Sequence, residues 1–273
     1  MGMLADRRVL IIALGELGRL VATRRGLLTL SGFGLIWAFI LFYAVIPVTR
    51  WLARSVDSGL ADLVLEPLGL RGIGGWSSPQ LAVYWLVGLY LLPGFALMIS
   101  ADQTASDRAR GTLRFQVLRV GRGTLYLGRF LGQCVIMVGL ILATLASVMI
   151  IIAIQSPEDV VATLADAGLI ALNLLVTVLP WLALMALCSA LASSARRATL
   201  YAMVLWIVGA IVLGQLRDRL SPLPLFDHLL PGSEVAELRG LSDTALLALA
   251  GPPLAQCAVL LLLGWFVFRH RDL

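Results

Sequence analysis

Several stretches of about 20 residues in this chain carry no charged side chain, which is the length a helix needs to cross a hydrocarbon core of about 30 Å. The composition agrees. Of 273 residues, 60% are hydrophobic and 14% charged; a soluble domain carries roughly 25% charged residues. Backbone polar groups in lipid must be satisfied within the structure, and a long apolar run does this as a helix. The fold class is therefore an all-α membrane protein with six transmembrane helices in one domain, 1–273. The spans are read at 27–47, 81–100, 126–154, 167–192, 200–215 and 245–268. Pro93-Gly94 interrupts the second, Pro180 lies inside the fourth, and Pro252-Pro253 stands near the start of the sixth. Proline in a span is tolerated because neighbouring helices re-satisfy the freed groups.

All 21 basic residues are arginine, and their placement orients the chain. Fifteen fall in the N-terminal segment, the second-to-third loop through Arg129, the fourth-to-fifth loop (Arg196, Arg197) and the tail (Arg269, Arg271). Six fall on the other side: Arg50, Arg54, Arg71, Arg217, Arg219 and Arg239. Loops rich in arginine stay in the cytoplasm, so both termini are expected there. The segments 50–80 and 216–244 face outward. No cleavable signal peptide is expected, because no small-residue cleavage site follows a short apolar core.

The missing lysine has chemical force. A P-loop needs it to reach nucleotide phosphates, and a Schiff base needs its amine. Cys134, Cys188 and Cys257 lie inside apolar runs with no C-x-x-C spacing, so buried free thiols are expected. His228 and His270 fall in different polar segments, and no H-E-x-x-H occurs. No metal site, no cofactor and no nucleic-acid partner is expected of this chain. No Asp, Glu, Arg or His sits in the middle of a span; only Asn173, Thr177, Gln256 and scattered hydroxyls do. That argues against secondary transport coupled through a membrane-embedded acid.

Residues 4–25 read LADRRVLIIALGELGRLVATRR. Apolar residues cluster at 9–14 and recur at Leu17, Leu20 and Val21, while Arg8, Glu16 and Arg19 share a polar stripe. The pattern predicts an interfacial helix over 1–25, with its arginines at the headgroups. The segment 216–244 is moderately apolar and is read either as an outer loop or as a piece that re-enters the membrane.

The densest charge lies in DRARGTLRFQVLRVGRGTLYLGR, from Asp107 to Arg129, with six arginines, four glycines and one acid. Asp102 and Asp107 come early, where acids favour a helix N-terminus. Gly111-Thr112-Leu113 breaks or re-aims the chain. Leu113, Phe115, Val117 and Leu118 set apolar anchors among arginines. The expected form is a helix, a tight turn and a helical entry to the membrane.

This stretch resembles the first cytoplasmic loop of ABC-2 type ABC transporter permeases. Those carry roughly E-R-x-x-G-T-L, then P-x-x-R, then G-K. Here Asp107-Arg108 stands for Glu-Arg, Gly111-Thr112-Leu113 matches directly, Arg122 matches the later arginine, and Gly128-Arg129 stands for Gly-Lys. The proline is absent, and Asp107 is one methylene shorter than the usual acid. The resemblance implies an N-terminal elbow helix and a coupling helix within 102–125. It implies a bacterial inner-membrane permease that dimerises, more readily with an identical chain than with a different one. Two copies of a separate ATP-binding subunit would hold ATP and Mg and perform the hydrolysis. The coupling residues it implies are Asp107, Arg108, Arg110, Gly111, Thr112, Leu113, Phe115, Arg122, Gly128 and Arg129. A short helix with apolar anchors and flanking arginines suits a groove on a partner.

Three functions are weighed on this basis. The first is export of a lipid-like or amphipathic substrate. The second passes ATP-driven motion to a periplasmic partner, with Trp51, Trp76, Phe226 and the 222–243 segment as the outer surface. The third, a membrane-embedded enzyme, lacks a Ser/His pair or metal motif within the spans.

Overall fold

A computed structural model describes residues 2–55, 76–219, 228–239, 241 and 244–271. Arg71, Phe226 and residues 220–227 lie outside the described residues, as does most of the first outer segment. All regular structure among the described residues is helical. Six helices are long and apolar enough to span a membrane: Gly26–Trp51, Pro79–Ser100, Arg122–Gln155, Pro157–Leu191, Ala195–Leu216 and Leu246–His270. The charge-free runs thus mark the spans to within about five residues at each end, except that the fourth begins ten residues earlier than read.

Helix α1 (Gly2–Ala22) precedes them. The first span is α2 (Arg24–Ile40), a π-helical turn at Leu41–Val45, and α3 (Ile46–Ser55). Helix α4 (Pro79–Ser100) forms the second span, capped by the Ser78 hydroxyl on the Leu81 N–H. Two short helices follow, α5 (Ala105–Ala109) and α6 (Thr112–Val120). The third span is α7 (Arg122–Gln155) and the fourth α8 (Val160–Leu191). Then come α9 (Ala195–Arg219), the short α10 (Val235–Leu238) and α11 (Ala245–Ala248), and α12 (Gly251–His270).

Three expectations need correction. Pro93 does not interrupt its span, because α4 runs through it unbroken; Pro180 lies inside α8 as expected. The third span begins at Arg122, four residues earlier than read, so Arg122 belongs to its helix and not to the loop. The loop itself holds two short helices rather than one helix and a turn.

Helix α8 is the hub. It packs on α4, α7, α9 and α12, and 72% of its apolar stretch is buried; for α9 the figure is 6%. A polar seam fixes the register of the inner spans. Trp85 Nε1 donates to Asn173 Oδ1 at 3.0 Å, Tyr84 Oη to the Ile141 carbonyl at 3.1 Å, and Trp37 Nε1 to Ser147 Oγ at 2.9 Å. Buried amides and hydroxyls in an apolar bundle need such partners. Asn173 is thereby satisfied within the fold. Trp76 is buried against Trp85, with ring centroids 5.5 Å apart, so it is not free for an outer partner; Trp51 is exposed.

Candidate functional site

The arginine-rich loop folds because two glycines let it turn. Gly111 (φ +70°) separates α5 from α6, and Gly121 (φ +79°) separates α6 from α7. Side chains rarely adopt that backbone conformation. Helix α6 then divides its residues. Leu113 is 1% exposed and joins the core, and Gln116, Val117 and Val120 are half-buried on the same side. Phe115 is 71% exposed and Leu118 85%. Arg114 and Arg119 are exposed to either side of that pair, as a 3.6-residue period requires. The four apolar anchors of the sequence are therefore two inward and two outward.

The inward side ends in a buried ionic cluster. Arg129, 3% exposed, donates from Nη2 to Asp107 Oδ2 and to Gln116 Oε1 (2.7 Å), and from Nη1 to the Gln103 carbonyl. Its Nε lies 4.0 Å from Glu16 Oε1 of α1. Arg19 donates to Glu16 at 3.1 Å and lies 3.8 Å from Asp107 Oδ2. Thr112 Oγ1 donates to the Asp107 carbonyl at 3.2 Å. Burial alone would raise the Asp107 carboxyl. The Arg129 charge and hydrogen bond, with Arg19 and Arg110, outweigh it and hold the group below the usual carboxylate range. Burial likewise acts against the Arg19 charge, and Glu16 and Asp107 outweigh it.

Glu16, Arg19, Gln103 and Gln116 were not among the sequence candidates. Glu16 stood in the headgroup-facing polar stripe of 1–25, and the structure corrects that: it is buried against α7. The outward face of α1 is instead apolar, with Leu10, Ile11, Leu14 and Val21 exposed. The signal for Glu16 was an acid placed among apolar residues well inside the helix.

Gly128 serves close packing. A Cβ there would stand 2.9 Å from Ile12 Cβ, and one at Gly132 would stand 2.9 Å from Glu16 Cβ and 3.1 Å from the Ala13 carbonyl oxygen. The Gly128-x-x-x-Gly132 spacing presents both to one face, and α1 lies directly on it. That contact carries Glu16 to Arg129.

Arg108 and Arg122 close helix ends. Arg108 Nη1 donates to the carbonyls of Ala190 (2.7 Å) and Ala192 (3.2 Å) at the C-terminus of α8, and Arg271 donates to Ala190 (2.9 Å) and Leu191. Arg122 donates to the carbonyls of Arg269 and Arg271 (3.1 Å), at the C-terminal end of α12. Terminal carbonyls lack intrahelical partners and carry the negative end of the helix dipole. Burial, and then the nearby Arg271, hold the Arg108 guanidinium below its ordinary value. Ser189 Oγ also accepts from the backbone N–H of Thr104 (2.9 Å) and Ala105 (3.2 Å). Asp107, Arg108, Leu113, Arg122, Gly128 and Arg129 thus tie the loop to α1, α7, α8 and α12. Arg110, Phe115 and the added Arg114, Leu118 and Arg119 face outward.

At the other functional candidate, residues 228–239 are hydrogen-bonded to the spans. Trp206 Nε1 donates to the Pro231 carbonyl at 3.0 Å, and Gln256 Nε2 to the carbonyls of His228 (2.8 Å) and Leu230 (3.1 Å). Gly232 (φ +87°) sits so close to Trp181 that a Cβ would stand 2.9 Å from its ring. Trp181 and Trp206 lie about 15 Å along their helices from the arginine-rich end, at about 1.5 Å per residue. A cavity of about 480 Å³ opens there, walled by Tyr90, Pro93, Trp181, Trp206, Gly232 and Val235.

Among the described residues no group of three or more His, Cys, Asp or Glu is placed to hold a metal ion, and all three cysteines are free. No curated protein matches the chain at a significant level. Residues 13–273 match the model of the ABC-2 family transporter proteins. That match spans α1 from its buried face onward, the two-helix loop and all six spans, and the chain belongs to the ABC-2 transporter family.

Proposed function

We propose that this chain is the permease subunit of an ABC transporter of a bacterial inner membrane, with both termini cytoplasmic. Its family implies a separate ABC ATPase as partner. In this reading two ATPase copies, holding ATP and Mg, meet two identical permease chains, and this chain performs no hydrolysis. The exposed face of α6 is the docking surface. Phe115 and Leu118 enter a groove on the ATPase, and Arg110, Arg114 and Arg119 pair with acids around it. A force on α6 passes through Leu113, Asp107 and Arg129 into the third span, and through Glu16 into α1. Arg108 carries it to the end of the fourth.

The observation that supports this best is the two-sidedness of α6. One face is held to the bundle by buried Leu113 and by Gln116, which accepts from Arg129, and the other exposes two large apolar residues between arginines. Such residues in an otherwise charged loop need a partner or lipid to cover them. The apolar cavity beside Trp181 and Trp206 suits an amphipathic or lipid-like substrate.

Affinity purification of the tagged permease tests the reading. The wild type should bring down an ABC ATPase at one copy per permease. Phe115→Asp with Leu118→Asp should lose it while inserting normally into the membrane. Full retention of the ATPase by that double variant would remove α6 as the docking surface.

A further inference from the structure

The six spans place no acid, arginine or histidine at mid-height, yet the folded chain brings one there. Glu234 is 0% exposed and precedes α10 in the segment held by Trp181, Trp206 and Gln256. Its surroundings are short of donors. The Ser233 hydroxyl reaches Oε2 at 3.3 Å, and Oε1 has no partner among the described residues. The Glu234 backbone N–H and the Gln256 side-chain amide favour the charged form, but burial outweighs them. That amide has two N–H groups, and both donate to main-chain carbonyls. Gln256 Oε1 is itself an acceptor without a donor. Among the described residues no arginine forms an ion pair with Glu234.

Of the ionisable groups around it, His228 favours the charged form, and burial outweighs it. His228 is in the same segment and nearby, with Nδ1 unpartnered. Glu237 and Arg239 follow on α10. The spans packed on the segment add Tyr90 from α4, Cys188 from α8, Tyr201 from α9 and Cys257 from α12 between their charged ends. Thiols and phenols are ordinarily neutral at pH 7.

A bare carboxylate in such a place is far more costly than a carboxylic acid, whose O–H is a donor. We propose that Glu234 is a hydrogen-ion site inside the bundle, protonated at neutral pH, whose ionisation releases the 228–239 segment. The proton passes to water, and the carboxylate left among acceptors gains hydration only if the segment moves. That segment supplies Gly232 and Val235 to the wall of the 480 Å³ cavity, so the charge on Glu234 sets whether the wall is closed. The inference goes beyond ATPase docking and is tested on the permease alone, so either can fail without the other.

The test uses the full chain in nanodiscs of neutral phospholipid. The infrared difference between wild type and Glu234→Gln at neutral pH should contain the carbonyl band of a protonated carboxyl, shifted in deuterium oxide. A carboxylate band pair in its place would overturn the proposal. Tryptophan fluorescence should titrate on alkalinisation in the wild type and lose that transition in Glu234→Gln. The same titration in both would break the link between proton and segment. Glu234→Asp gives a second variant if the Gln chain does not fold: it should retain an acid band and a titration, and the absence of both would also overturn the proposal.

Discussion

Arg129, two turns into the third span, forms a buried ion pair with Asp107 in the loop that precedes it. The same guanidinium holds Gln116 of α6 and the Gln103 carbonyl, and it faces Glu16 of α1. One side chain therefore joins three helices and a loop. A loop held in this way moves as a block with the span it precedes.

Removing one partner of a buried pair leaves an uncompensated charge, at a cost of about 3–5 kcal/mol. Arg129→Ala or Asp107→Leu alone should lower the thermal midpoint of the detergent-solubilised chain strongly. The double variant Arg129→Met with Asp107→Leu should recover part of the loss. A double variant no better than the worse single one would mean that the pair does not act as a unit.

The pH dependence of this pair has a definite sign. The Asp107 carboxyl sits below its usual value in the folded chain. Its contribution is thus fully present above the unfolded value of about 3.9 and is lost as pH falls through the lower folded value. Stability measured against Asp107→Asn should differ by a constant amount near neutrality and converge only in strong acid. Convergence near neutral pH would contradict the geometry.

Gly128 and Gly132 have no room for a side chain where α1 crosses the third span. Gly128→Leu or Gly132→Leu should cost about 1–3 kcal/mol by overpacking and should speed proteolysis within α1. Gly15, on the same helix α1, has nothing within 4 Å of an added Cβ. Gly15→Ala should be neutral or stabilising, by up to about 1 kcal/mol. Equal damage from all three would show that α1 does not pack as described.

Trp85 and Asn173 bind the second span to the fourth. Asn173→Leu leaves the buried Trp85 N–H alone, at about 1–3 kcal/mol. A blue shift in Trp85 fluorescence should accompany the fall in melting temperature. No change in either would remove this bond from the core.

The spans were legible because charge-free length is a local property. The Gly111 turn followed from a short motif. The ionic cluster was not legible, because Glu16 and Asp107 are separated by the first two spans and meet only through the glycine face of α7. The mid-height acid was missed for a related reason. Glu234 belongs to no span, and only the fold carries its segment between Trp181, Trp206 and Gln256. Exposure also could not be read from residue type alone: Leu113 and Leu118 look alike in sequence and lie on opposite faces of α6.

The central claim is that the outward face of α6 meets the ATPase. Its most direct measurement is thiol cross-linking in a chain with Cys134, Cys188 and Cys257 replaced by alanine. Leu118→Cys should cross-link to the co-purified ATPase, more strongly in one nucleotide state than in the other. Leu113→Cys, one turn and a half away on the buried face, should not. An ATPase that co-purifies but cross-links to neither, or to both equally, would contradict the account.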